Sequence, residues 1–134
     1  RSGFYDCISL SKAPVIATHS NCAALCPHTR NLDDEQLRAL FSVGGLLGIC
    51  YYPLFLGKGD VFELIYEHIY HALELGGENL VCFGSDFDGA EMDSSLNSLQ
   101  DVKNLRAFLG RKGFDDALLD KLFFCNAQNF FNLI

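Results

Sequence analysis

The sequence predicts an α/β chain built on parallel strands, and three observations carry that expectation. Three apolar runs, Ala13–Thr18, Val43–Tyr52 and Leu80–Phe83, lack clean alternation of polar and apolar residues. That is the pattern of strands buried on both faces. Each run is followed by residues at helical spacing, and a strand–helix series repeated three times implies parallel pairing with right-handed crossovers. Each run also ends in polar residues, and in parallel α/β folds the reactive side chains gather at the C-terminal ends of strands.

Taken in order, a short helical lead-in precedes the first run, where Pro14 stands near the start of the strand and His19-Ser20-Asn21 follow it. Asn31 is the expected N-cap of the next helix, with Asp33, Asp34 and Glu35 in a first turn that favours anions. Leu37, Leu40 and Phe41 then form one apolar stripe. The second run is closed by Pro53. Asp60 is positioned to cap a second helix in which Val61, Leu64, Ile65, His68, Ile69 and Ala72 share a face, ended by Gly76-Gly77. The third run opens into Gly84-Ser85-Asp86-Phe87-Asp88-Gly89, and helices are expected over Asp101–Leu109 and Asp115–Leu133, separated by Gly110 and Gly113.

With 134 residues and no repeat, long linker or low-complexity segment, residues 1–134 read as part or all of one domain. Ten Lys and Arg stand against 17 Asp and Glu, and the basic residues form no cluster, so neither nucleic acid nor an anionic membrane is an expected partner. No apolar run reaches the ~18 residues of a bilayer span, and the first residues lack a secretory pattern. Cys22 and Cys26 do not have zinc-ribbon spacing, and Cys50 and Cys82 lie in apolar runs as small core residues. Reduced thiols in a cytoplasmic setting are expected, with disulfides left open by the even count of six cysteines. A closed eight-stranded barrel takes about 200 residues or more. Three βα units therefore make either a small open sheet or part of a larger domain.

His19, directly after the first strand, points into the mouth above the sheet, where a neutral imidazole can ligate a metal or act as a base; a hydrogen-bonded strand-end histidine is the plainer alternative. Asp86 and Asp88 diverge because residues alternate. Asp86, nearer the strand, is the candidate for proton transfer or metal contact, against an Asp-rich turn. Arg30 could fold back over the pocket and bind a carboxylate with its planar fork, or lie solvated in its loop. His28 is expected to be exposed and inert, and His68 and His71 to pack and hydrogen-bond rather than hold metal.

Together these residues resemble the zinc-dependent membrane dipeptidase family, which includes renal dipeptidase and its bacterial relatives. The resemblance runs over essentially the whole chain. Its specific blocks are Lys12–Asn21, Arg30–Leu37 and Gly84–Gly89, with weaker support from His68-x-x-His71 and Asn126-Ala127. It implies a (β/α)₈ TIM barrel with two zinc ions at its C-terminal face, of which this chain is the C-terminal part, the last three βα units. It also implies hydrolysis of dipeptides by metal-activated water. On that likeness His19 is a zinc ligand at the end of the sixth strand and Arg30 grips the substrate carboxylate. Asp86 handles protons at the end of the eighth strand, and Phe55 is the aromatic beside the substrate where some relatives have Tyr.

The departures also count. The family's His-x-Asp, its bridging Glu and the histidine of the fifth strand are absent from these residues, leaving His19 as the one recognisable ligand, and Cys50 stands where relatives commonly have Asn. The isolated chain is therefore expected to be inactive or nearly so. Its open strand edges lead to association with the missing barrel half or with further copies. Two rivals remain at this point: a phosphotransferase using Asp86 and Asp88, and a non-catalytic truncated relative serving as an interaction surface.

Overall fold

The computed structural model describes residues 2–132. Helix α1 (Ser2–Leu10) leads into β1 (Ile16–Ser20), α2 (Asp34–Ser42), β2 (Leu46–Cys50), a single turn α3 (Pro53–Leu56), α4 (Val61–Glu74), β3 (Val81–Ser85), α5 (Leu99–Arg111), α6 (Asp116–Asp120) and α7 (Asn126–Phe131). The strands form one parallel sheet in the order β1-β2-β3. The predicted α/β architecture of three parallel βα units is therefore present.

All five residues of β2 are buried, which is why that run carries no alternation. On one face Leu47, Ile49 and Val81 pack against Leu37 and Leu40 of α2, Ile65 and Ile69 of α4, and Leu105 and Leu109 of α5. On the other face Leu46 and Cys82 meet Phe130, with Ile16 and Ala127 alongside. Thus α7 covers one end of the face that half a barrel would otherwise leave bare.

Local chemistry shifts several expected boundaries. The cap of α2 is Asp33, not Asn31. Asp33 Oδ1 accepts from Gln36 N at 2.9 Å while Gln36 Oε1 accepts from Asp33 N at 3.1 Å, a reciprocal pair that satisfies two orphan donors. The second apolar run begins as the C-cap of α2 at Val43, turns at Gly44 (φ +70°), and is extended only from Leu46. Helix α4 starts as expected, with Asp60 Oδ1 accepting from Phe62 N and Glu63 N at 3.0 Å each, though Leu64 is only half-buried. Gly110 lies inside α5, and the chain breaks at Gly113, where φ is +103°.

The helix expected over Asp115–Leu133 is divided. Asp115 caps α6, and a π-helical turn at Lys121–Cys125 precedes α7. Buried Asn126 then donates from Nδ2 to Glu78 O (2.9 Å) and Val81 O (2.8 Å), fastening α7 to the start of β3. Position 133 lies outside the described residues.

Candidate active site

The two outer strands each carry one extra residue against β2 near the C-terminal end of the sheet. On β1 the pairing passes from Ala17↔Leu47 to Ser20↔Ile49, and on β3 from Phe83↔Ile49 to Ser85↔Cys50. Such bulges bend a strand and re-aim its side chains. They are accommodated by two glycines: a Cβ at Gly48 or Gly84 would collide with the Thr18 carbonyl oxygen. Both outer strands are thereby drawn together over the centre of the sheet.

At this end of the sheet, His19, inside the β1 bulge, lines one cavity of about 350 Å³ with Arg30, Phe55 and Asp86, together with Tyr52, Gly89 and Ala90. The four residues expected to form a site are therefore brought together at the strand ends. Asp88 is exposed and faces a neighbouring cavity that it shares with Asp86, Asn97, Ser98 and Leu99. Asp86 lines both cavities, and Asp88 lines only the neighbouring one.

Asp86 is the one described non-glycine residue with a left-handed backbone (φ +70°). Asp tolerates that region better than most residues, and outliers of this kind concentrate at functional sites. Gly89 N closes the turn by donating to Asp86 O at 3.1 Å. A Cβ at Gly89 would strike the Asp86 carboxylate.

Arg30 reaches the mouth because a buried amide pair ties down its loop. Asn21 Nδ2 donates to Cys50 O (3.1 Å) and Asn21 Oδ1 accepts from Cys50 N (3.0 Å), locking the exit of β1 to the end of β2. Asn21 N donates to Asn31 Oδ1 (3.1 Å), whose Nδ2 donates to Cys26 O (2.9 Å) and Phe55 O (2.8 Å). Ser20 Oγ donates to Arg30 O at 2.7 Å. Residues 20–32 thus return on themselves and hold Arg30 above His19. Its Nη2 donates to His19 Nε2 at 2.8 Å, while His19 Nδ1 lies 2.8 Å from Thr18 Oγ1.

His28 is not an exposed bystander. It is half-buried, its ring centroid is 4.5 Å from that of Phe55, and its Nδ1 accepts from Arg30 N at 3.2 Å. His68 and His71 serve structure, as expected. Buried His68 accepts from Cys22 N at Nδ1 (3.1 Å) and donates from Nε2 to Leu56 O (3.0 Å). His71 Nε2 bonds Asp34 Oδ1 at 2.8 Å. Asn21 and Asn31 went unrecognised as supports, the latter because an Asn before an acidic turn looks like a cap.

All six cysteines carry free thiols. Burial pushes Cys22 up to about 12 and Cys82 up to about 11, and burial, with the Asp86 carboxylate adding to it, raises Cys50. These three are thiols at neutral pH, neither nucleophiles nor ready ligands. Among the described residues no three His, Cys, Asp or Glu side chains converge to hold a metal ion. One imidazole, with its Nε2 engaged by Arg30, and one carboxylate on the same cavity do not by themselves fit a two-zinc centre.

The sequence model of the membrane dipeptidase family, peptidase family M19, matches residues 1–133. Among curated relatives, the dipeptidase ataJ of Aspergillus terreus is 34% identical over 122 residues, covering 87% of this chain and 30% of its own length. An uncharacterised protein from the pqqA 5′ region of Klebsiella pneumoniae is 38% identical over 129 residues, covering 92% of this chain and 48% of its own. The chain thus spans less than half the length of these relatives. Among solved structures, a metallopeptidase from Rhodobacter sphaeroides bound to a phosphinate mimic of the dipeptide L-Ala-D-Ala superposes with a TM-score of 0.91. The two share 34% identity over 98% of this chain and 39% of that one.

Proposed function

The chain belongs to the membrane dipeptidase family, peptidase family M19, and from that premise we propose that it forms the last three βα units of a zinc dipeptidase barrel. The observation that carries this reading is the single cavity lined by His19, Arg30, Phe55 and Asp86. A fixed cationic fork opposite a carboxylate suits a short peptide: Arg30 would hold the free C-terminal carboxylate bidentately, and the distance from it to the reacting carbonyl would select dipeptides over longer chains. Asp86 would pass a proton to the departing amine. Phe55 and Tyr52, whose ring centroids lie 5.1 Å apart, would wall the substrate side chain.

Of the zinc ligands, only His19 is assigned to this chain. Two zinc ions would need further ligands from the remainder of a full-length barrel, so the isolated chain is inactive in this reading. β1 and β3 each have one unpaired edge in the sheet, which the remaining strands of the barrel would cover. The six unpaired thiols suit a reducing, cytoplasmic compartment. Nothing in the comparisons favours a phosphotransferase using Asp86 and Asp88.

The test is hydrolysis of L-Ala-D-Ala, the dipeptide whose mimic the Rhodobacter protein holds. The 134 residues are assayed alone and within a full-length barrel loaded with zinc. Cleavage of the dipeptide but not of a tripeptide by the full-length barrel, and none by the isolated chain, is the expected result. A zinc-loaded full-length barrel that leaves every dipeptide intact would overturn it.

A further inference from the structure

We infer that His68 is a positioning residue: one buried imidazole holds the loop that carries Arg30 and the turn that carries Phe55 in fixed register with each other. His68 does not itself line the cavity, so its influence on the site runs through those two segments. The other buried residues of α4, Val61, Ile65, Ile69 and Ala72, are all apolar. A polar ring in that company costs free energy unless both of its nitrogens are bonded.

Both are bonded, each to the main chain of one of the two segments. Nδ1 accepts from Cys22 N at 3.1 Å, and Nε2 donates to Leu56 O at 3.0 Å. A backbone N–H only donates and a backbone carbonyl only accepts. The two partners therefore demand the same neutral ring, with its proton on Nε2. Cys22 stands at the base of the Arg30 loop, bridged to Leu32. Leu32 N donates to Asn21 O (2.9 Å) and Ala23 N to Leu32 O (2.8 Å), so fixing Cys22 fixes both limbs of the loop. The Cys22 thiol adds a second tie, donating to His68 O at 3.4 Å. Leu56 ends α3, directly after Phe55. The loop also reaches this turn directly, from Asn31 Nδ2 to Phe55 O (2.8 Å) and from Cys26 Sγ to Leu54 O (3.5 Å). His68 anchors the joined pair to the long helix α4. That this register sets how a substrate is gripped between Arg30 and Phe55 rests on the proposed peptidase reading; the two ties do not.

The experiment uses the zinc-loaded full-length barrel and two half-replacements. Asn carries its amide near the place of Nδ1, and Gln near that of Nε2. His68→Asn should keep an acceptor for Cys22 N and lose the tie to Leu56, and His68→Gln should do the reverse. Hydrogen exchange read by mass spectrometry should tell them apart. Residues 20–32 should exchange at least about fivefold faster in His68→Gln, and residues 53–57 in His68→Asn, the scale of one lost hydrogen bond. Residues 81–85 should exchange as in the wild type in both. KM for L-Ala-D-Ala should rise in both variants while kcat stays within about twofold.

A merely structural His68 would speed exchange everywhere together and leave KM alone. Acceleration that includes residues 81–85 equally, exchange unchanged in both segments, or an unchanged KM in an active barrel overturns the inference. Where neither variant folds, the wild type decides: a Cys22 amide that exchanges as fast as an unbonded one overturns it, and a protected one upholds the tie. Failure of the peptidase reading would register separately, as a barrel that cleaves no dipeptide yet still divides the two segments between the two variants.

Discussion

Arg30 donates from Nη2 to Nε2 of His19 across 2.8 Å, so the group proposed to grip substrate and the group proposed to hold metal are bound to each other. A ligand that takes the Nε2 lone pair must turn Arg30 away, and a carboxylate that recruits the fork relieves the imidazole. Arg30→Met in the full-length barrel should therefore raise KM for dipeptides while kcat changes little, the mark of an interaction shared by ground and transition states. A hydrogen bond to a charged group contributes about 1.5–3 kcal/mol, so the loss in kcat/KM should be roughly 10- to 100-fold. Arg30→Lys should recover only part of it, because an ammonium cannot reproduce a planar fork. Steady-state kinetics of the three proteins decide the matter.

Asp86→Asn should separate chemistry from folding. Asn also tolerates the left-handed backbone that Asp86 adopts at φ +70°, so thermal stability should stay within about 1 kcal/mol of wild type. Turnover should fall by roughly 10²- to 10⁴-fold, the usual contribution of a positioned proton carrier. Asp88→Asn, on an exposed residue facing the neighbouring cavity, should leave turnover close to wild type. Equal losses in the two variants would remove Asp86 from its proposed role.

Acid should weaken the fold through His68. Burial, the largest influence, holds its ring below the ordinary value of 6.5 despite the bond to Leu56 O, with His71 lowering it further. Burial favours the neutral ring in the native state, where Nδ1 accepts from Cys22 N, whereas the unfolded ring protonates normally. The unfolded state thus binds more protons below pH 6.5, and stability rises with pH across that range. His68 contributes fully above pH 6.5, and its contribution is lost progressively as pH falls toward the lowered native value. Urea midpoints measured from pH 7.5 to 5 should drop in the wild type and drop less steeply in His68→Gln.

How much of this was legible in the sequence follows from the range of the forces involved. The three strands, their helices and the α4 cap at Asp60 depend on neighbouring residues and apolar spacing, so they could be read directly. Asp86 and His19 could be picked out because strand ends in parallel sheets have one functional side. Asn31 could not be read correctly, because its partners Phe55 and Asn21 are 24 and 10 residues away and nothing local distinguishes it from a cap. The π turn at Lys121–Cys125 was hidden for the same reason: Asn126, which follows it, is held by the carbonyls of Glu78, in the turn before β3, and Val81, the first residue of β3.

Asn31→Asp is a nearly isosteric test of that hidden support. It replaces an amide donating to Cys26 O and Phe55 O with a carboxylate facing two carbonyls. Each buried acceptor left unpaired costs about 1–3 kcal/mol, and burying a charge costs more. The expected destabilisation is about 3 kcal/mol or greater in urea unfolding. In variants that still fold, released Phe55 and Arg30 should lower dipeptide affinity as well. A loss of under about 1 kcal/mol would show that water already serves those carbonyls.

The glycine seat beneath Thr18 gives the sharpest contrast. At Gly84 an added methyl meets the Thr18 carbonyl, a backbone atom that cannot rotate away. Gly84→Ala must therefore push β1 off β3 and carry His19 away from Asp86. Overpacking of this kind costs about 1–3 kcal/mol. Gly110, inside α5, would place the same methyl in ordinary contact with Leu119 Cδ1, 3.6 Å away. There the replacement should stabilise by roughly 0.5–1 kcal/mol, because alanine loses less freedom than glycine when a helix forms. Thermal unfolding should move in opposite directions for the two substitutions. Only Gly84→Ala should also disturb the His19 ring signals, since Gly110 does not line the cavity. Two alanines with the same effect on stability would mean the bulges yield freely, and the placement of His19 would then need another cause.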